Sequence, residues 1–199
     1  MSFLPWLSDN ENDAFAWITY APNSLRKEPK EYELHEGISV QHWYPASVIF
    51  PLTENRGLEL TDSVPNTLNL IIVSERLKRF LEANAGARME FLPVQLRDQK
   101  GRLVPEPYFI LNLLEVVECV DLEKSQFERS AIIPSFIAWF SLLVVDPARI
   151  PPEAKLFRLK EKPNLILIRE DLAQVLVNED YTGMMFLELE EYGREWGRT

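Results

Sequence analysis

Residues 69–92 read NLIIVSERLKRFLEANAGARMEFL, and residues 164–187 read NLILIREDLAQVLVNEDYTGMMFL. The two stretches align without a gap, 95 positions apart, and nine of the 24 aligned positions are identical. The identical pairs are Asn69/Asn164, Leu70/Leu165, Ile71/Ile166, Glu75/Glu170, Leu77/Leu172, Leu81/Leu176, Met89/Met184, Phe91/Phe186 and Leu92/Leu187. Most are apolar positions of the kind that face a core. Each copy opens on an aliphatic run that reads as a strand, Leu68–Val73 in the first and Leu165–Ile168 in the second. Ser74 is a good helix N-cap, and Glu75 in the first turn suits the helix dipole. Leu77, Phe80 and Leu81 then recur at i, i+3, i+4. Gly86 falls where a left-handed residue ends a helix. In the second copy Glu170 and Asp171 suit the first turn, Leu172, Val175 and Leu176 form the buried face, and Gly183 precedes a last strand, Met184–Leu189. The unit is strand, short helix, strand. If its two strands pair in parallel the crossover is right-handed, and an antiparallel pairing is equally open.

Outward from the repeat the sequence reads mainly as strands. Met89–Leu96 alternates Met89 and Phe91 with Glu90 and Leu92, and Asp98-Gln99-Lys100-Gly101 is a turn. Pro107–Val120 is the longest run of strand type, expected in the middle of a sheet with a bend near Asn112. Ala131–Val145 reads as strands broken at Pro134, with a buried helix as the alternative. Leu156–Leu159 is a short strand. Ala14–Tyr20 and parts of Ile38–Phe50 also read as strands, joined by an irregular stretch rich in charge. The expected class is α+β, with mainly antiparallel or mixed β-sheet and a few short helices. The expected division is a β-rich N-terminal lobe or arm over residues 1–60 and an α+β domain over 61–199, with the option that both pack as one unit.

The chain has 199 residues, 46% hydrophobic, enough to build a core without disulfides. Its single cysteine, Cys119, forms no internal disulfide and fits a reducing compartment. No run approaches a membrane span, and the first 15 residues carry no basic leader or apolar signal stretch, so a soluble cytoplasmic protein is expected. The net charge is −10. It resides in the ends: residues 1–60 and 161–199 each hold 9 acidic and 4 basic side chains, whereas residues 61–160 hold 13 of each. That sign disfavours nucleic acid and favours a basic partner, if it does more than keep the chain soluble.

Recognisable chemistry is sparse. His35 and His42 are seven apart, far from Cys119, with no zinc spacing, so neither a metal nor another cofactor is expected. The seven glycines are not clustered, which excludes a phosphate loop. No Gly-x-Ser-x-Gly elbow occurs. Cys119 lies in an apolar strand and reads as an inert thiol. Glu115 and Glu118, or Glu188 and Glu190, could be nominated as carboxylate pairs, but solvated strand faces explain them. No catalytic residue is expected. The candidates for partner binding are Trp43 and Tyr44 beside His42, Glu188, Glu190 and Glu191 near the end, and Trp196 in the charged tail, since aromatics beside acids are common interface anchors.

The ordered segments Ile71–Glu82, Glu90-Phe91-Leu92-Pro93-Val94, Tyr108–Asn112, Val116–Asp121, Leu156-Phe157-Arg158-Leu159 and Thr182–Phe186 carry a resemblance. Over residues 65–190 the chain resembles the immunity protein family eleven of bacterial polymorphic toxin systems. The resemblance implies a non-enzymatic protein, encoded beside a toxin, that binds and neutralises it. It supplies no catalytic residues and does not fix the toxin contacts. An acidic inhibitor of a basic, nuclease-type toxin domain is the sharper expectation. Two alternatives stay open: a small enzyme with an unrecognised carboxylate site, and a structural module, monomer or homodimer, that contacts itself. The copies also differ in charge, Arg76, Lys78, Arg79 and Arg88 standing where the second has Asp171, Ala173, Gln174 and Gly183. Function is expected where the copies disagree and on the N-terminal arm.

Overall fold

A computed structural model describes residues 2–195. The strands in chain order are β1 (Phe3–Ser8), β2 (Ile49–Pro51), β3 (Ile72–Ser74), β4 (Met89–Arg97), β5 (Tyr108–Leu113), β6 (Val116–Val117), β7 (Gln126–Arg129), β8 (Ile137–Leu142), β9 (Leu156–Leu159), β10 (Ile166–Arg169) and β11 (Met184–Phe186). The helices are α1 (Asn23–Arg26), α2 (Glu75–Asn84), α3 (Glu170–Asn178) and α4 (Leu189–Glu195). Three sheets form, ordered β11-β1-β10-β9-β6, β2-β4-β5-β3, and β7-β8. The class is α+β with mixed and antiparallel sheets.

The repeat is real in three dimensions. Glu75 and Glu170 open the two helices, and Met89 and Met184 open the two following strands, both pairs 95 apart. The strands of one unit do not pair with each other. A third, antiparallel strand lies between them, β5 between β3 and β4, β1 between β10 and β11. The register is shared too. Ile110 of β5 faces both Ile72 and Leu92, which are 20 apart. On β1, Pro5 faces Leu167 and Trp6 faces Phe186, so one further step of the same register sets Pro5 opposite Leu187, again 20 apart. The inserted strand follows its unit in the first case and precedes it by most of the chain in the second.

Ser74 caps α2 by accepting from the Leu77 N–H, and Gly86 just beyond that helix has φ +61°. In α3 the buried face is Leu172, Ala173 and Leu176; Val175 is exposed, one step off the expected stripe. That helix is one residue shorter and ends with Asp180 left-handed at φ +55°. The two helices share one core with Val73, Leu111, Leu113, Ile166 and Ile168. The alternate residues of the same strands face outward into two further cores. Ile72, Leu92, Val94, Leu96 and Ile110 meet the N-terminal segment. Phe157, Leu159, Leu165 and Leu167 meet the β7-β8 hairpin and α4. Both main sheets are therefore covered on both faces.

Several expectations change. The long run 107–120 is two strands, not one. The chain leaves the four-stranded sheet after Leu113, one residue beyond Asn112, and joins the five-stranded sheet at Val116. Ala14–Tyr20 makes only isolated bridges, and no strand forms between residues 9 and 48. Residues 131–145 supply a hairpin tip and β8, as the reading of broken strands has it, and the alternative helix does not form. The last strand stops at Phe186, because the chain turns into α4, where Tyr192 is buried and Gly193 lies so close to β8 that a Cβ would stand 2.5 Å from the Ser141 carbonyl.

Candidate functional site

The carboxylates of Glu188, Glu190 and Glu191 stand at the start of α4, all exposed. Glu188 and Glu190 do not share a strand face, as i, i+2 spacing suggested. The Glu188 carbonyl instead accepts from the N–H groups of Glu191 and Tyr192 and starts the helix. Acids in a first helical turn are favoured by the helix dipole. Because α4 packs on β8 and β1, the three acids are presented from a fixed element.

Trp43 and Tyr44 belong elsewhere, half-buried against the core of the four-stranded sheet. The Trp43 indole donates to Glu33 (2.7 Å) and the Tyr44 hydroxyl to the Pro93 carbonyl (3.2 Å). Burial raises the Tyr44 phenol above its usual value. Their polar ends are thus engaged within the chain, and the structure does not join them to the acids of α4 in one cluster. Trp196 lies outside the described residues. His42 is exposed and His35 half-buried, and no group of His, Cys, Asp and Glu that could hold a metal occurs among the described residues. Cys119 is fully buried, and burial beside Glu161 pushes its thiol up to about 12, an unreactive state. Glu115 pairs with Arg88 and Glu118 with Lys160.

The charge difference between the copies is used inside the molecule. Arg76 donates to the Glu179 carbonyl at the end of α3 (2.5 Å), bonds Asp62 (3.0 Å) and lies 3.9 Å over the Tyr181 ring. Arg79 bonds Glu75, and Lys78 lies between Glu75 and Glu82 and over the Phe91 and Phe109 rings. The basic face of α2 is neutralised by its own acids and ties the units together.

Sequence reasoning missed the most exposed apolar feature. The tip of the β7-β8 hairpin, residues 131–135, is exposed throughout, with Ile132 90% accessible and Ile133 beside it. The tip is held by its own bonds. Ser130 Oγ accepts from the N–H groups of Ile132 and Ile133, the Phe136 N–H bonds the Ile133 carbonyl, and Arg129 bonds the Pro134 carbonyl. Two isoleucines and a proline between polar flanks were the available signal. A cavity does lie between the two repeat units, lined by Asn69, Asn164, Arg158 and Lys162, but no carboxylate lines it.

With this geometry in hand, comparison with family models matches residues 9–191, nearly the whole chain, to the model described as immunity protein family (Imm11). Comparison with curated proteins gives no match. No helix among the described residues is long and apolar enough to cross a membrane.

Proposed function

This chain belongs to the immunity protein family Imm11, and we propose that it binds a cognate bacterial toxin in the cytoplasm and neutralises it by covering a surface, with no chemistry of its own. The observation that carries this is the family match across residues 9–191. The site follows from two features of one subassembly. The hairpin offers an ordered apolar anchor at Ile132, which loses little freedom on binding. The helix packed on β8 offers Glu188, Glu190 and Glu191. They lie beyond opposite ends of β8, which is itself about 17 Å long by strand rise, within the span of one interface. An apolar anchor with an acidic rim suits a basic toxin domain of the nuclease type. The anchor sets the dissociation rate and the acids set the encounter rate.

The test is co-expression with the toxin encoded beside it. Growth protection is expected from the wild-type chain, and a chain that gives none overturns the function. For the site, Ile132→Asp should weaken the complex on the order of 100-fold. Changing Glu188, Glu190 and Glu191 together to Gln should slow association roughly 3–10-fold at low salt, with the difference fading as salt rises. Unchanged rates in both would move the site elsewhere, and Trp43→Ala then tests the other cluster.

A further inference from the structure

The structure points to a second site, independent of toxin binding: we propose that the cavity between the two repeat units binds a small oxyanion of phosphate or sulfate type. The cavity is about 80 Å³, several times the ~10–15 Å³ that one water needs on the same measure. Asn69 and Asn164, the first residues of the two copies, both line it, with Ser8, Ser63, Arg158 and Lys162. A wider cleft of about 340 Å³ shares Asn69, Lys162 and Asn164 and lies between Tyr32 and His35 on one side and Phe136–Ala138 of the hairpin on the other. That cleft is the route in.

The charge balance calls for an anion. Arg158 and Lys162 are each 4% exposed. The Arg158 guanidinium donates to the carbonyls of Leu113 (2.9 Å), Pro163 (2.8 Å) and Leu34 (3.3 Å). The Lys162 ammonium donates to the Ala138 carbonyl. Among the described residues neither cation bonds a carboxylate. Arg has five N–H donors and Lys three, so among the described residues two N–H of each head group have no protein acceptor. Carbonyl oxygens satisfy donors but do not cancel charge, and an unpaired buried cation is costly. No Asp or Glu lines the cavity, although the chain holds 31 of them; Glu36 lines the outer cleft. An oxyanion accepts from several N–H and O–H donors at once and removes the imbalance. The cavity is too small for a nucleotide.

The test uses the full chain. Sodium phosphate is titrated at constant ionic strength into wild type and into Lys162→Met, followed by calorimetry and thermal unfolding. The expected result is saturable heat and a rising midpoint in wild type, with affinity lowered tenfold or more in Lys162→Met and retained in Lys162→Arg. A midpoint that rises equally in all three proteins reports only exclusion of phosphate from the surface and overturns the site. Should Lys162→Met fail to fold, wild type decides: a titration without saturable heat overturns the proposal. Acetate and chloride arms separate a tetrahedral oxyanion site from one for any small anion, and equal binding of all three refutes the oxyanion assignment.

Discussion

At the residue scale, the two left-handed glycines of the repeat loops carry different loads. Gly86 has φ +61° and open space where a Cβ would stand. Gly86→Ala should therefore cost about 1 kcal/mol, the conformational penalty alone. Gly183 has φ +84° and a Cβ would lie 1.9 Å from the Ser63 carbonyl. That neighbour is backbone, so Gly183→Ala should cost roughly 3 kcal/mol or more. Urea denaturation of both variants checks the contrast, and equal costs would refute it. His35 gives a pH dependence. Burial, then the Arg158 guanidinium, lower its imidazole from 6.5 to about 4, against a bond with the Asn69 backbone that raises it. Glu36 and Lys162 line the same cleft. The folded state thus keeps the ring neutral. Its contribution is complete above pH 6.5 and is lost between 6.5 and 4, where only the unfolded chain takes up the proton. The loss is up to roughly 3 kcal/mol. His35→Gln should flatten the urea midpoint between pH 5 and 6.5, and an unchanged slope would count against it.

At the element scale, the shared register makes equivalent residues comparable. Leu81 and Leu176 occupy the same place in α2 and α3 and are almost fully buried in one core. Each change to Ala should cost about 2–5 kcal/mol, and the two costs should agree within about 1 kcal/mol. Ser74→Ala should cost about 1 kcal/mol, because its hydroxyl caps α2; Arg169 at the matching position makes no such cap. Denaturation midpoints measure all three, and a Leu176→Ala cost near zero would show the copies to be unequal in packing. These elements were legible because helix periodicity, cap and C-terminal glycine are local signals. The inserted strands were not, since nothing local in Phe3–Ser8 announces a partner more than 150 residues away. Arg158 was illegible for a related reason. In a strand covered on one face it would point to water, but this sheet is covered on both, so alternation turns a charged side chain inward. The tip isoleucines were not singled out, because an apolar run gives no sign of exposure until its two ends are known to form a hairpin.

At the scale of the whole molecule, the three cores are linked by single strands that serve two of them at once. Alternate residues of β10 face the helices and the hairpin, and alternate residues of β5 face the helices and the N-terminal segment. Strand β1 adds a link, because Phe3 packs in the hairpin core and Trp6 in the helix core while its two halves pair with β10 and β11. Asp62 adds another, accepting from Ser74, Arg76 and the Thr182 N–H. We therefore expect residues 1–60 and the remainder to unfold together rather than as separate domains. Local tryptophans make this measurable: Trp6 reports the helix core, Trp43 the N-terminal core and Trp139 the hairpin, where its indole bonds Glu128. Variants keeping one of these at a time should give coincident urea transitions, overlapping the far-ultraviolet signal. An earlier transition at Trp43 alone would mean that the N-terminal segment is a separable unit. One at Trp139 alone would mean that the hairpin opens by itself. In that case the ordered Ile132 anchor would not persist in the native state, and the low entropic cost argued for toxin binding would be lost with it.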